Sequence, residues 1–450
     1  MPKSRKSGGK FSGDGRGKQA RKKFLKMIIE REVLHRKLFT VFSIATVITL
    51  PFSVPLNGLA IILLGLSWIA EGQWIKKVDL LRKNPIALLF ISFYLLLVIG
   101  LLYSSNQEQA NKELEKQASL IAFPLIFATS RFVNRVTVLQ ALNAFLIACT
   151  VACLICLANG IYQASNGDTR FLFYHELGSP LDLHAVYFSA YVGLCIFYVI
   201  DQLRQNWTAW SALRKTTYAV LLTFLIAFLI LLSSKTLIVF IFLGLLIFVA
   251  RYYAKRKGVA VSAGIFVLCG IALVIAVLSI PQIKDRFTEV LVDPFHQTNP
   301  LYLEDYTGYH FTGGNMRLAI WKMAVGEISN SNAWLFGVGT GDAQDVLTAT
   351  YERKHVYPGD KELGFEGFLY YNAHNEFFQV LLTMGVVGLT VFVLLFVLLF
   401  RKAVAENQPV LFWLLYIFAT FCLTESALEA QKGVVFFSFF ANLLSSGWTK

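Results

Sequence analysis

Charge is what this chain has least of. Asp, Glu, Lys and Arg make up 15% of its 450 residues, against 56% hydrophobic side chains and a mean hydropathy of +0.57. A soluble domain carries about a quarter charged residues, so that class is excluded and a polytopic membrane protein is expected. Cysteine is also scarce. All six, Cys149, Cys153, Cys156, Cys195, Cys269 and Cys422, fall inside apolar runs, and none lies in the long polar stretch where oxidation could pair them. No disulfide framework is expected. Cys153 and Cys156 form a C-x-x-C pair that shares a helix face with Cys149, which reads as small residues at a helix contact, with redox or metal work as the alternative. The glycine-rich run from Trp334 to Asp342 lacks both a P-loop lysine and a preceding strand, so no nucleotide site is expected there. Its glycines suit a turn that folds the loop back over the membrane face. No cleavable leader is visible either, because the first apolar run follows 37 polar residues and continues into a second, as a retained anchor does.

What the chain has in quantity is apolar runs. About 17 to 25 residues are needed to cross roughly 30 Å of hydrocarbon. Twelve candidates lie near 38–51, 55–71, 85–103, 118–130, 137–160, 184–201, 216–233, 236–253, 259–280, 374–400, 409–424 and 432–447. The expected fold is therefore all-α: a polytopic bundle of about twelve transmembrane helices. Residues 1–37 form a basic tail, 38–280 hold spans one to nine, 281–373 form one large, partly helical loop, and 374–450 hold the last three spans.

Basic residues set the orientation, since cytoplasmic loops retain Lys and Arg. Residues 1–37 contain thirteen of them against Asp14, Glu30 and Glu32, a net of +10 out of +13 for the chain. Alternate loops repeat the bias with Lys76, Lys77, Arg82 and Lys83, then Arg131 and Arg135, Arg204, Arg214 and Lys215, Arg251 to Lys257, and Arg401 and Lys402. The loop 281–373 has seven basic against twelve acidic residues. Both termini are thus expected inside and the large loop outside. The tail, almost free of apolar residues before Phe24, reads as a disordered arm drawn to anionic lipid rather than to nucleic acid.

Polar groups from distant segments are expected on the outer face, as a site for an amphiphilic substrate requires. His374 stands where the loop enters the tenth span, and an imidazole there can take a proton from a sugar hydroxyl. Arg317 falls in the first turn of a loop helix expected to start close to Asn315, where a cation opposes the helix dipole. It either pairs with one of the loop's acids or joins the helix N-terminus in an anion site. Lys235 lies at the turn between the seventh and eighth spans, as a snorkelling lysine or a functional one. Arg170, His175, His184, Tyr187, Glu425 and Glu429 lie at the same level.

His374-Asn375, nine residues, then Gly385-Val386-Val387-Gly388 resembles the signature of the O-antigen ligase and polymerase superfamily of bacterial membrane glycosyltransferases. Asn315 to Trp321 is similar to that family's loop segment with an essential Arg, and Phe336 to Gly341 to its glycine-rich turn. The chain departs at Lys235, where most members show Ser-Arg, so the bidentate fork is lost. The resemblance covers roughly 215–400 and implies a transfer on the periplasmic side of the inner membrane that needs no metal, cofactor or sugar nucleotide. The donor would be a glycan on undecaprenyl diphosphate, and the acceptor lipid A-core or another glycan. His374 would be the base and Arg317 and Lys235 the diphosphate cations, with Asn375, His184 and Arg170 as further substrate contacts. Ligase, polymerase and protein-modifying relatives share the scaffold, and a lipid-linked glycan flippase is the alternative of another class. Gly385 and Gly388 read as small positions allowing close approach of a helix or lipid tail.

Overall fold

A computed structural model describes residues 14–257, 299–360 and 365–447, with isolated positions between 263 and 284. Most of the expected ninth span at 259–280 lies outside the described residues, as do Cys269, residues 1–13 and most of 281–298. In chain order the helices are α1 (Asp14–Thr49), α2 (Val54–Glu71), α3 (Trp74–Arg82), α4 (Pro85–Tyr103), α5 (Gln107–Gln117), α6 (Ser119–Thr129), α7 (Arg135–Ser165), α8 (Tyr174–Gly178), α9 (Ala185–Asn206), α10 (Ala212–Leu231) and α11 (Lys235–Lys257). After the undescribed stretch come α12 (Gly313–Asn330), α13 (Ala343–Arg353), α14 (Glu376–Ala405), α15 (Pro409–Cys422) and α16 (Gln431–Gly447). The strands described are β1 (Gly359–Asp360) and β2 (Phe365–Glu366), which form an antiparallel ribbon.

Among the described residues, six helices are long and apolar enough to cross a membrane: α2, α4, α7, α9, α10 and α14. Shorter apolar helices lie at Lys235–Phe248 and Pro409–Cys422. The expected fourth span is α6, whose eleven residues reach only about 17 Å at 1.5 Å per residue, too little to cross alone. The basic tail also differs from expectation, because from Asp14 onward it is helical and continuous with the first apolar run. Lys, Arg and Glu are good helix formers, and a helix already nucleated in an apolar segment extends cheaply. Lys26–Glu30 and Glu32–Arg36 stand at i,i+4 spacing, which adds a little support.

Two apolar cores form. The larger one is centred on α9 and α16, which are buried along most of their length, with Phe418 stacked on Phe437 at 4.2 Å. The smaller one joins α12 and α13 through Ile320, Met323, Leu347 and Tyr351, and Leu382 of α14 belongs to it. The two cores meet at α14.

There α14 breaks. Gly385 adopts φ 63°, ψ −163°, so Val386 and Val387 do not reach back along the helix. Their N–H groups donate instead to the carbonyls of Trp334 and Leu335 at 2.8 and 3.2 Å. The carbonyls of Leu382 and Thr383, left without those donors, accept from Val338 and Gly339 at 2.8 and 3.2 Å. These four backbone groups freed by the break are thereby satisfied by the glycine-rich turn. A Cβ at Gly385 would lie 2.4 Å from the Leu335 carbonyl, and one at Gly337 would lie 2.4 Å from Thr383. The close approach expected at Gly385 is real, but its partner is loop backbone. Gly388 is a consequence of the same bend, since its Cβ would meet Met384 Cβ at 2.3 Å. The turn is also clipped to the end of α4: Thr340 donates to the Leu97 carbonyl at 2.7 Å, and the Asp342 carboxylate accepts from Ser105 and Asn106 N–H at 2.8 Å each.

Candidate functional site

The start of α14 is built by Asn375. Its side-chain carbonyl accepts from the N–H groups of Phe377 and Phe378, capping the helix, and its amide donates to the Leu423 carbonyl. These bonds give Asn375 a positioning role at the start of the helix. His374 precedes it at φ 43°, a left-handed conformation that costs about 1–2 kcal/mol outside glycine and turns the ring away from the helix. Trp321 of α12 holds the two elements together by donating to the Ala373 carbonyl at 2.9 Å and stacking on Phe378.

α12 begins at Gly313, two residues earlier than expected, with Thr312 as its cap. Arg317, one turn in, meets the junction after α15: Nε donates to the Thr424 carbonyl at 3.0 Å and Nη2 to Glu425 Oε1 at 2.9 Å, while Nη1 donates to Gly313 O at 2.8 Å. The second oxygen of Glu425 lies 2.8 Å from His374 Nδ1. One carboxylate thus bridges the imidazole and the guanidinium, across 51 and 108 positions of sequence. Burial pushes Glu425 upward, but the hydrogen bond and charge of His374, with Arg317 and His184 nearby, outweigh it and hold the carboxyl below its ordinary range. The sequence alone placed Glu425 only at the right level of the bundle. Its signal is a lone acid directly after an apolar helix, and its role needs the chain to close in space.

These groups line a cleft of about 280 Å³ together with Thr312, His175, His184 and Tyr371. His184 caps α9 and lies against His175, ring centroids 3.9 Å apart. The cleft is therefore rimmed by imidazoles, a guanidinium and the N-terminus of α12, an arrangement that suits a phosphate-bearing ligand. Arg170 is not part of it. Asp168, two residues away, holds that guanidinium at 2.8 Å on the protein surface, outside the cleft. Lys235 opens α11 directly after the buried Ser233 and Ser234, and it does not line the cleft. Among the described residues no group of three His, Cys, Asp or Glu side chains is placed to hold a metal ion.

Residues 218–393, from α10 to the middle of α14, match a family model described as O-Antigen ligase. The match takes in Lys235, Arg317, His374 and both glycines of the broken helix. No curated protein matches the chain.

Proposed function

We propose, from the match of residues 218–393 to a family model described as O-Antigen ligase, that the protein transfers a glycan from undecaprenyl diphosphate to an acceptor hydroxyl, by ligation to lipid A-core. The observation that carries this reading is the carboxylate shared between His374 and Arg317 in the cleft. An ionised carboxylate only accepts hydrogen bonds, so Nδ1 of His374 holds the proton and Nε2 is its basic nitrogen. The acceptor hydroxyl gives its proton to Nε2 while its oxygen bonds to the anomeric carbon. The bond from that carbon to the diphosphate breaks on the opposite face, and its electron pair leaves on the lipid diphosphate with inversion. Three of the five N–H groups of Arg317 are engaged by the chain, leaving two for the departing oxygens beside the first turn of α12. Lys235 supplies a more distant positive charge. General-base help contributes about 10² to 10⁴-fold and a charge-stabilising donor about 10² to 10³-fold.

The basic loops support a topology in the inner membrane with both termini cytoplasmic, and one basic pair, Arg401 and Lys402, lies at the far end of α14 from His374. This reading puts the cleft on the periplasmic side, within about twelve spans. The test is complementation of a strain lacking the gene, with glycolipids resolved on a gel. Loss of all long glycan from lipid A-core marks a ligase, and retention of a single repeat marks a polymerase. Near-normal glycan attachment by an inserted His374→Ala protein would refute the assignment.

A further inference from the structure

At the end of α14 opposite His374 lies another cavity, of about 590 Å³, walled by the closing turns of α3, α6, α14 and α16 and the first turn of α4. Lys83, Arg401 and Lys402 stand on its wall, and among the described residues no acid lines it. Lys402 pairs with Glu406 one turn further on, at 2.9 Å, whereas Lys83 and Arg401 form no ion pair among the described residues. α4 starts on the same wall at Pro85, and its nineteen residues bring the positive end of a helix dipole there. Ser446, in the last turn of α16, supplies an independent sign. It is 8% exposed and lines the cavity, and its hydroxyl oxygen has no hydrogen-bond partner. The neighbouring Ser445 hydroxyl donates back to the Asn442 carbonyl at 3.3 Å, as helical serines commonly do. A buried hydroxyl left without a partner is rare, so Ser446 points to a ligand that accepts its proton.

Three cations, a helix N-terminus and a free hydroxyl donor on one cavity select an anion with several acceptor oxygens, which is the chemistry of a phosphate. The remaining walls show where that phosphate comes from. Leu80, Ile86, Ala128 and Leu398 are apolar, and α4 and α14 are both long and apolar enough to cross a membrane, so their ends fall at the depth of lipid headgroups. We propose that this cavity binds the headgroup of an anionic phospholipid, with the phosphate between Arg401, Lys83 and the Ser446 hydroxyl and the upper acyl carbons against Leu80 and Leu398. A zwitterionic lipid would bring its own ammonium among the three cations, so a headgroup with net negative charge is favoured. The proposal is independent of the glycan-transfer reading, because the cavity shares no residue with the cleft around His374.

The test uses the full-length protein, stripped of lipid in a neutral detergent, with phosphatidylglycerol, phosphatidylcholine and inorganic phosphate as probes, read by native mass spectrometry and thermal melting. Phosphatidylglycerol is expected to add as one saturable adduct and to raise the melting temperature, with phosphatidylcholine about tenfold weaker and inorganic phosphate without effect. Ser446→Ala and Arg401→Gln are each expected to weaken the phosphatidylglycerol adduct about tenfold, the loss for one hydrogen bond to a charged group. Arg82→Gln removes an exposed cation beside Lys83 that does not line the cavity, and is expected to bind as the wild type does. Without lipid, Ser446→Ala should melt at or above the wild type, because it removes an unpaired buried hydroxyl, so weaker binding in that variant is not lost folding. Equal binding of the two lipids, or an adduct unchanged in both Ser446→Ala and Arg401→Gln, overturns the proposal. Equal weakening by Arg82→Gln would do so too, by reducing the effect to overall surface charge. Stabilisation by inorganic phosphate as large as that by phosphatidylglycerol would give the site to a soluble anion and end the lipid assignment.

Discussion

At the scale of single residues, Glu425 is the group whose removal separates positioning from bulk. Glu425→Gln keeps the shape of the side chain but presents an amide to Nδ1 and loses the charge that faces Arg317. Transfer is expected to fall about 10²-fold or more, measured in proteoliposomes with a lipid-linked donor, because the wrong nitrogen of His374 then carries the proton. The folded carboxyl is held below its ordinary value, so its contribution to stability is present above the unfolded carboxylate pKa, near 4.3, and is lost as pH falls through the folded value. Melting scans from pH 6 down to pH 2 should therefore show a drop below about pH 4 that Glu425→Gln lacks. The polar residues that gather at this end were legible in the sequence as a level of the bundle, and His374 and Arg317 do meet there. Which of them touch was not legible, because contact depends on competitors nearby. Arg170 pairs with Asp168 two residues away, and the side-chain oxygen of Asn375 caps the helix it starts. Glu425 gains its place only when α12, α14 and the end of α15 close on one another.

At the scale of elements, the break in α14 makes an unusual demand on two glycines. Gly385→Ala forces an L side chain into a positive φ and against the Leu335 carbonyl, and is expected to cost about 3 kcal/mol or more. Gly388→Ala, crowding only the Met384 side chain, should cost about 1–3 kcal/mol. Thermal melting of the purified proteins should rank them in that order, and equal melting of Gly385→Ala and the wild type would contradict the geometry. The spacing of these glycines was visible in the sequence, as was the turn from Trp334 to Asp342. Their mutual engagement was not, since hydropathy along one helix carries no record of which backbone fills its gap. Nearby, burial and Glu113 push the carboxyl of Glu429 up to about 7 despite Lys116. A raised acid contributes its stability fully below the unfolded value and loses it as pH rises to about 7. Glu429→Gln should thus gain melting temperature relative to the wild type as pH rises from 5 to 8, and an unchanged difference across that range would contradict the raised value.

At the scale of the whole molecule, the apolar runs and the basic loops announced a helical membrane protein, while span number was harder to read because α6 is short and carries Pro124 within it. The proposed orientation is testable with little background, since the described cysteines are all buried. Tyr370→Cys, at a position 84% exposed beside the cleft, is expected to react in intact cells with a maleimide that does not cross the inner membrane, whereas Arg401→Cys is expected to stay silent. The reverse pattern would invert the topology. The interlock of the turn and α14 carries a consequence for biosynthesis. Residues 334–339 leave the ribosome before 382–387 and hold amides and carbonyls that only the later segment can satisfy. His374 lies between the two halves of this clasp, so a nascent chain that ends before residue 382 cannot close it around that side chain.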